Sequence, residues 1–187
     1  MKQYSTAALI LAVIAIVFLS NFLFKIAGVR AVESTGAIDS STKAAVMKKS
    51  DYTLAYPGIL PDHPLYFLKD VRDKIIELLI VDPERKSEFY LLQSDKLLHA
   101  AVRLLDKNEK EKARAAISQS FFRMNMAITR LSTMKANGQQ VSAGSVDSIK
   151  RAIEKHIEVL TEIASNIDTK EAISSLQKSQ EEVMKLQ

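Results

Sequence analysis

The sequence predicts an all-α protein: an N-terminal transmembrane helix or signal segment followed by an antiparallel helical bundle of about five helices. Three observations point there. The eighteen residues from Ala7 to Phe24 carry no charge, and only Ser20 and Asn21 are polar. As a helix such a run is ~27 Å long, and the high cost of charge at a bilayer centre makes so clean a run suited to hydrocarbon. All four prolines fall between residues 57 and 83, which leaves the chain beyond Pro83 free to be helical. Apolar residues downstream recur with a 3.6-residue period, with no convincing two-residue alternation and no repeat of 20 to 50 residues.

The first segment, residues 1–31, reads as a signal peptide or a signal anchor. Val29 and Ala31 suit a cleavage site after Ala31, and Gly28 breaks the helix in the right place. The apolar run nevertheless exceeds the 7 to 15 residues of a signal core and reaches spanning length, while Lys25 and Arg30 resemble an interfacial stop. Retention as a single-pass N-terminal anchor is therefore the expectation, with secretion after cleavage near Ala31 as the alternative. Flanking charge hardly chooses a side: Lys2 and the amino terminus face Lys25 and Arg30, and Lys43, Lys48 and Lys49 lean toward a cytoplasmic C-terminal side. The signal-like character of the segment decides for an extracytoplasmic C-terminal domain.

Residues 32–53 read as a flexible linker: Ser34, Thr35, Gly36, Asp39 and Ser40 to Thr42 precede Lys48 and Lys49 without an apolar period. Residues 54–187 form the predicted bundle domain. Its lead-in is dense in residues that fix the backbone. Pro57-Gly58 suits the middle of a type II turn, Pro61 and Pro64 restrict φ, and Asp62 or His63 is placed to cap the first helix; Leu65 and Tyr66 then fold onto the bundle.

The first helix aligns Leu68, Val71, Ile75 and Leu78/Leu79 on one face, with Lys69, Arg72, Asp73 and Lys74 among the polar positions. Asp82-Pro83-Glu84 forms a corner, Asp82 capping and Pro83 occupying the first helical position. The second helix carries Tyr90, Ser94, Leu97/Leu98, Ala101 and Leu104/Leu105, and Asn108 with Glu111 offers a capping box to the third. That helix presents Ala113, Ile117, Phe121, Met124, Ile128 and Leu131 and stops near Asn137-Gly138. The fourth, entered at Ser145, shows Val146, Ile149, Ile153, Ile157, Leu160 and Ile163/Ala164. Asp168 with Glu171 opens the fifth, with Ile173, Leu176, Val183 and Leu186.

Charge and composition exclude several functions. The pI near 9.2 suggests a basic protein, yet Lys2, Lys25 and Arg30 lie in the acid-free first segment. Without them 23 basic side chains face 22 acidic ones, so no nucleic-acid partner is expected. The absence of cysteine excludes a disulfide, a thiol nucleophile, a thiolate metal site and a lipidated N-terminal cysteine. No Gly-x-Ser-x-Gly elbow, phosphate-cradling glycine loop or His-Glu-x-x-His helix occurs. No enzyme, catalytic residue, cofactor or metal is expected.

Several polar clusters still invite chemistry. Asp62 and His63 could both bind a cation, but the flanking prolines favour a turn and cap. Asp95 and His99, at i and i+4 with Arg103 following, read as an ion-pair ladder on a solvated face rather than a metal site. His156 lies between Ile153 and Ile157 and borders the core. From Lys112 to Val146 there are five basic residues, Lys112, Arg114, Arg123, Arg130 and Lys135, and no acid. Arg123 and Arg130 share a face suited to an anionic polymer or lipid headgroup; pairing with Glu154, Glu158 or Glu162 is the competing and favoured reading. Phe121, Phe122, Met124 and Met126 fill core rather than line a groove.

The segment from Tyr56 to Lys69, with its Leu60-Pro61-Asp62-His63-Pro64-Leu65-Tyr66-Phe67-Leu68-Lys69 core, continues through Asp70, Arg72, Asp73, Asp82-Pro83, Lys86, Asp95-Lys96 and Leu97. It resembles an uncharacterised bacterial domain-of-unknown-function family marked by a Leu-Pro-x-x-Pro-Leu-Tyr-x-x-Lys lead-in. The resemblance covers roughly Tyr52 to Leu105 and leaves the fourth and fifth helices outside it. It implies a helical domain on secreted or membrane-anchored envelope proteins, without an established activity. Pro57, Gly58, Pro61, Pro64 and Tyr66 are thus structural lead-in positions. The expected function is a structural or interaction module of the cell envelope, partnered by the membrane and an envelope protein. A ligand-binding or sensory module working with a membrane partner is the alternative.

Overall fold

The computed structural model describes residues 51–186. The apolar run Ala7–Phe24, the positions Val29 and Ala31, the linker up to residue 50 and Gln187 lie outside the described residues. Among the described residues are five α-helices and no strand: α1 Tyr66–Leu79, α2 Pro83–Asp106, α3 Lys110–Ala136, α4 Ala143–Glu162 and α5 Lys170–Met184, with a 3₁₀ turn at Ile163–Ser165. None of them is long and apolar enough to cross a membrane.

The helices α2 and α3 form the principal pair. Ser87 Oγ donates to the Ala127 carbonyl at 2.8 Å, and Ser94 Oγ to that of Ser120 at 2.8 Å. The sequence separation between partners shrinks toward the connecting turn, the signature of antiparallel helices. Ser120 Oγ returns a bond to the Ser94 carbonyl at 2.8 Å. Alongside these serines lie the fully buried Ala101, Ala113, Ala116 and Ala127, small enough to let the two backbones approach closely. Large side chains from all of α2 to α5 fill the remaining core, among them Leu98, Leu104, Met124, Leu131, Ile149, Ile153, Leu176 and Val183. Burying each such side chain is worth roughly 1.5–3 kcal/mol over leaving it exposed, which makes these four helices the stable body of the domain.

Most helix ends follow from local chemistry. Asp82 caps α2 by accepting from the Arg85 N–H at 2.7 Å, with Pro83 at the first helical position as its fixed φ allows. Gly138, at φ 72°, ends α3, with the Gln139 N–H reaching back to the Met134 carbonyl at 2.9 Å. Gly58 takes φ 70°, as the third residue of a type II turn requires.

Four starts differ from the sequence reading. The helix α1 begins at Tyr66 behind the N-cap Leu65, with no side-chain cap bond, so neither Asp62 nor His63 caps it. Asn108 does not cap α3; at φ 60° it closes α2, while Glu109 N–H bonds the Leu104 carbonyl. The helix α4 is capped by Ser142 rather than entered at Ser145, because Ser142 Oγ accepts from the Ser145 N–H at 3.1 Å. Before α5 the N-cap is Thr169, whose hydroxyl bonds the Leu160 carbonyl at 3.1 Å instead of a helix amide, while Asp168 accepts from Lys170 N–H at 3.2 Å.

The largest departure is α1. Its apolar face is its exposed one: Leu68, Val71, Ile75, Leu78 and Leu79 lie between 45% and 81% exposed, and the one buried residue is Lys69, among the polar positions of the sequence pattern. Hydropathy period identifies an apolar stripe without saying which way it turns. Here polar contacts on the opposite side decide the orientation, and the core closes without this stripe.

Candidate functional site

Residues 51–65 run as a strap over α2 and α4. Tyr52, placed by sequence in the linker, is part of the packed domain: its hydroxyl donates to Asp95 Oδ2 at 2.6 Å. The other carboxylate oxygen, Oδ1, lies 2.9 Å from His156 Nε2 of α4. Asp95 and His156 are 3% and 1% exposed, so a carboxylate and an imidazole are taken out of water together and satisfy one another. With Asp95 ionised, Nε2 carries the proton, since a carboxylate only accepts. Burial, and then the bond to Asp95, pushes the Tyr52 hydroxyl far above the ordinary tyrosine range.

This cluster corrects the ladder expected on a solvated face of α2. Asp95 is covered, and His99 Nδ1 lies 3.2 Å from the Ala55 carbonyl with its ring edge-on to Tyr56 at 6.1 Å. Arg103 pairs weakly with Asp106 at 4.0 Å, both exposed. His156 is inside the core rather than at its border, and it has a partner that the sequence reading missed. A hydrogen-bonded Asp–His pair is a familiar unit for orienting an imidazole, but here Tyr52 occupies the second oxygen and the pair ties three chain segments together. Beside it a shallow groove of about 340 Å³ runs between the strap and α4, bounded by Leu54, His99, Val102 and Lys155. Among the described residues no three His, Asp or Glu side chains converge as a metal set.

The remaining predicted positions separate by role. Asp62 pairs with Lys107 at 2.7 Å, and that bond holds its carboxyl below the ordinary range. Neither Asp62 nor His63 caps α1: His63 Nδ1 accepts from the Leu65 N–H at 3.1 Å, ahead of the helix, and no side chain bonds the first helical amides. Pro61 and Pro64 flank these two residues. The Pro57 carbonyl receives the Lys69 ammonium at 3.2 Å, and the same ammonium sits 5.0 Å from the Tyr66 ring centre. Burial pulls the Lys69 ammonium below its ordinary range against the opposing pull of Asp73. Burial and the charges of Asp70 and Asp73 push Tyr66 up to about 12. Met124 is core, Phe121 and Met126 pack against it, and Phe122 is exposed.

Arg123 is engaged within the chain, though not by Glu154, Glu158 or Glu162. Its guanidinium meets Glu77 Oε2 of α1 at 3.1 Å and lies 5.7 Å from the Tyr90 ring centre. Tyr90 donates its hydroxyl to Glu77 Oε1 at 2.7 Å. Burial raises the Glu77 carboxyl, but the bonds from Tyr90 and Arg123 outweigh it and hold the group below the ordinary range. Arg130 is exposed beside Tyr90, where it offsets part of the rise that burial and Glu77 impose on that hydroxyl.

Lys69, Asp73 and Glu77 therefore form the inner line of α1, spaced by four residues, and the apolar stripe faces away from the bundle. Of the thirteen large hydrophobic residues exposed among the described residues, eight lie between Leu65 and Val81. Such concentration on and beside one helix is uncommon on the surface of a monomeric domain.

A family model described as a domain of unknown function (DUF5667) matches residues 58–185. The match runs through α4 and α5 and so extends well beyond the part that the sequence resemblance covered. No curated protein and no solved structure matches the chain.

Proposed function

The chain belongs to the DUF5667 family, a domain of unknown function, and on that premise we propose that it is a membrane-tethered, extracytoplasmic helical module of the cell envelope. It works by presenting a surface rather than by transforming a substrate. The observation that carries this reading is α1, which is held to the bundle by Lys69 and Glu77 and turns Val71, Ile75, Leu78 and Leu79 outward. A soluble domain gains nothing from an outward apolar stripe, whereas an interaction module needs one.

The apolar run Ala7–Phe24 supports the tether by its length, and Lys25 and Arg30 support an interfacial end. Protease added to intact cells, with mass spectrometry of the mature N-terminus, tests the arrangement. The bundle should be digested from outside while peptides before Ala31 remain joined to it. A bundle protected in intact cells and digested only after lysis would overturn the extracytoplasmic placement, and a mature chain starting at Val32 would replace the anchor with secretion.

A further inference from the structure

We propose that the outward face of α1 lies in the headgroup and acyl boundary of a lipid bilayer, so that the domain rests on the membrane through an in-plane helix. The inference rests on the surface-presenting reading and names what covers that surface.

At 3.6 residues per turn, Phe67, Leu68, Val71, Ile75, Leu78 and Leu79 fall within an arc of about 120°. Just beyond its two borders stand the cations Lys74, beside Phe67, and Arg72, beside Leu79. The acids Asp73 and Glu77 point to the opposite half, toward the bundle, and the exposed Asp70 stands on the flank beyond Lys74. This charge order suits a helix lying in an anionic interface: apolar side chains down, long cationic side chains snorkelling at the rim, carboxylates away from the phosphates. Arg72 is paired with Asp73 at 2.6 Å, but its side chain is 45% exposed, so its outer edge can meet a headgroup phosphate while its inner edge stays on Asp73. Leu65 and Val81, also exposed, prolong the stripe at either end.

Length and charge order favour a bilayer. Fourteen residues make a helix of about 21 Å, too short to cross ~30 Å of hydrocarbon and long enough to lie in its surface. The 26 residues between Phe24 and Asp51 reach at most about 90 Å, so an anchored chain keeps α1 near one bilayer throughout.

The chain has no cysteine, which makes single-site labelling clean. The full-length protein, carrying Ile75→Cys or Leu78→Cys with an environment-sensitive fluorophore, is reconstituted in phosphatidylcholine vesicles containing a minority of phosphatidylglycerol. Lys178→Cys on α5 serves as the reference. Emission from Ile75 and Leu78 should shift to the blue and be quenched by brominated lipid, with Lys178 unaffected, and adding Arg72→Glu and Lys74→Glu should reverse both effects. A blue shift that grows with protein density, without bromolipid quenching, would assign the face to a second copy; the lipid inference would fail and the surface-presenting reading stand. Labels that stay water-like in vesicles at every density and in native membranes would sink both.

Discussion

Asp95 shows what a single carboxylate does when three chain segments meet on it. Both oxygens are used, one by the strap through Tyr52 and one by α4 through His156. Replacing it by alanine strands two buried donors, so Asp95→Ala should cost about 3 kcal/mol in urea unfolding, whereas Tyr52→Phe should cost about 1 kcal/mol. A smaller loss for Asp95→Ala than for Tyr52→Phe would show that water replaces the carboxylate. The four-residue spacing of Asp95 and His99 correctly places them on one face of α2. What covers that face comes from more than 40 residues upstream for Tyr52 and 61 downstream for His156, and no local spacing encodes such a meeting. Lys69 was misread for a related reason: its period says polar, and only the position of the Pro57 carbonyl makes it buried.

The elements were legible where the chemistry is local. Proline and glycine punctuation places the α1–α2 corner and the end of α3, and apolar period finds every helix. The starts of α1, α3, α4 and α5 were less so, since Asp, His, Ser, Thr and Asn can each bond a turn instead of capping and the choice follows from how the flanking turn packs. At Ser142 that choice is reinforced from a distance, because Glu84 accepts from the Ser142 N–H at 3.1 Å and the Ser145 hydroxyl at 2.7 Å. The close α2–α3 contact makes size decisive: Ser120→Leu should destabilise the bundle by about 1–3 kcal/mol through overpacking, read from the midpoint of thermal or urea unfolding. The helix α1 contributes little buried apolar area, so in solution its amides should exchange with solvent far faster than those of α2 and α3. Equal protection across the three would mean that α1 unfolds only with the whole domain.

On the scale of the whole molecule, carboxylates attach the periphery to the core. Glu77 joins α1 to α2 and α3, Glu84 joins α2 to the start of α4, and both are held below the ordinary range: Glu77 by Tyr90 and Arg123 against burial, Glu84 by Ser142 and Ser145. A depressed folded-state pKa means stability that is present above the unfolded value and lost as pH falls through the folded one. Urea stability should therefore hold at neutral pH and decline below the ordinary glutamate range. Glu77→Gln and Glu84→Gln should start lower at neutral pH and decline less steeply, and an unchanged slope would remove these two groups as the cause. The strap adds a consequence of a mechanical kind. Tension arriving from residues before Asp51 enters the bundle at Tyr52, ahead of α1, and passes through Asp95 and His156 into α2 and α4 together. A pull from that side thus loads α2 and α4 together, and spares the short helix from being peeled away.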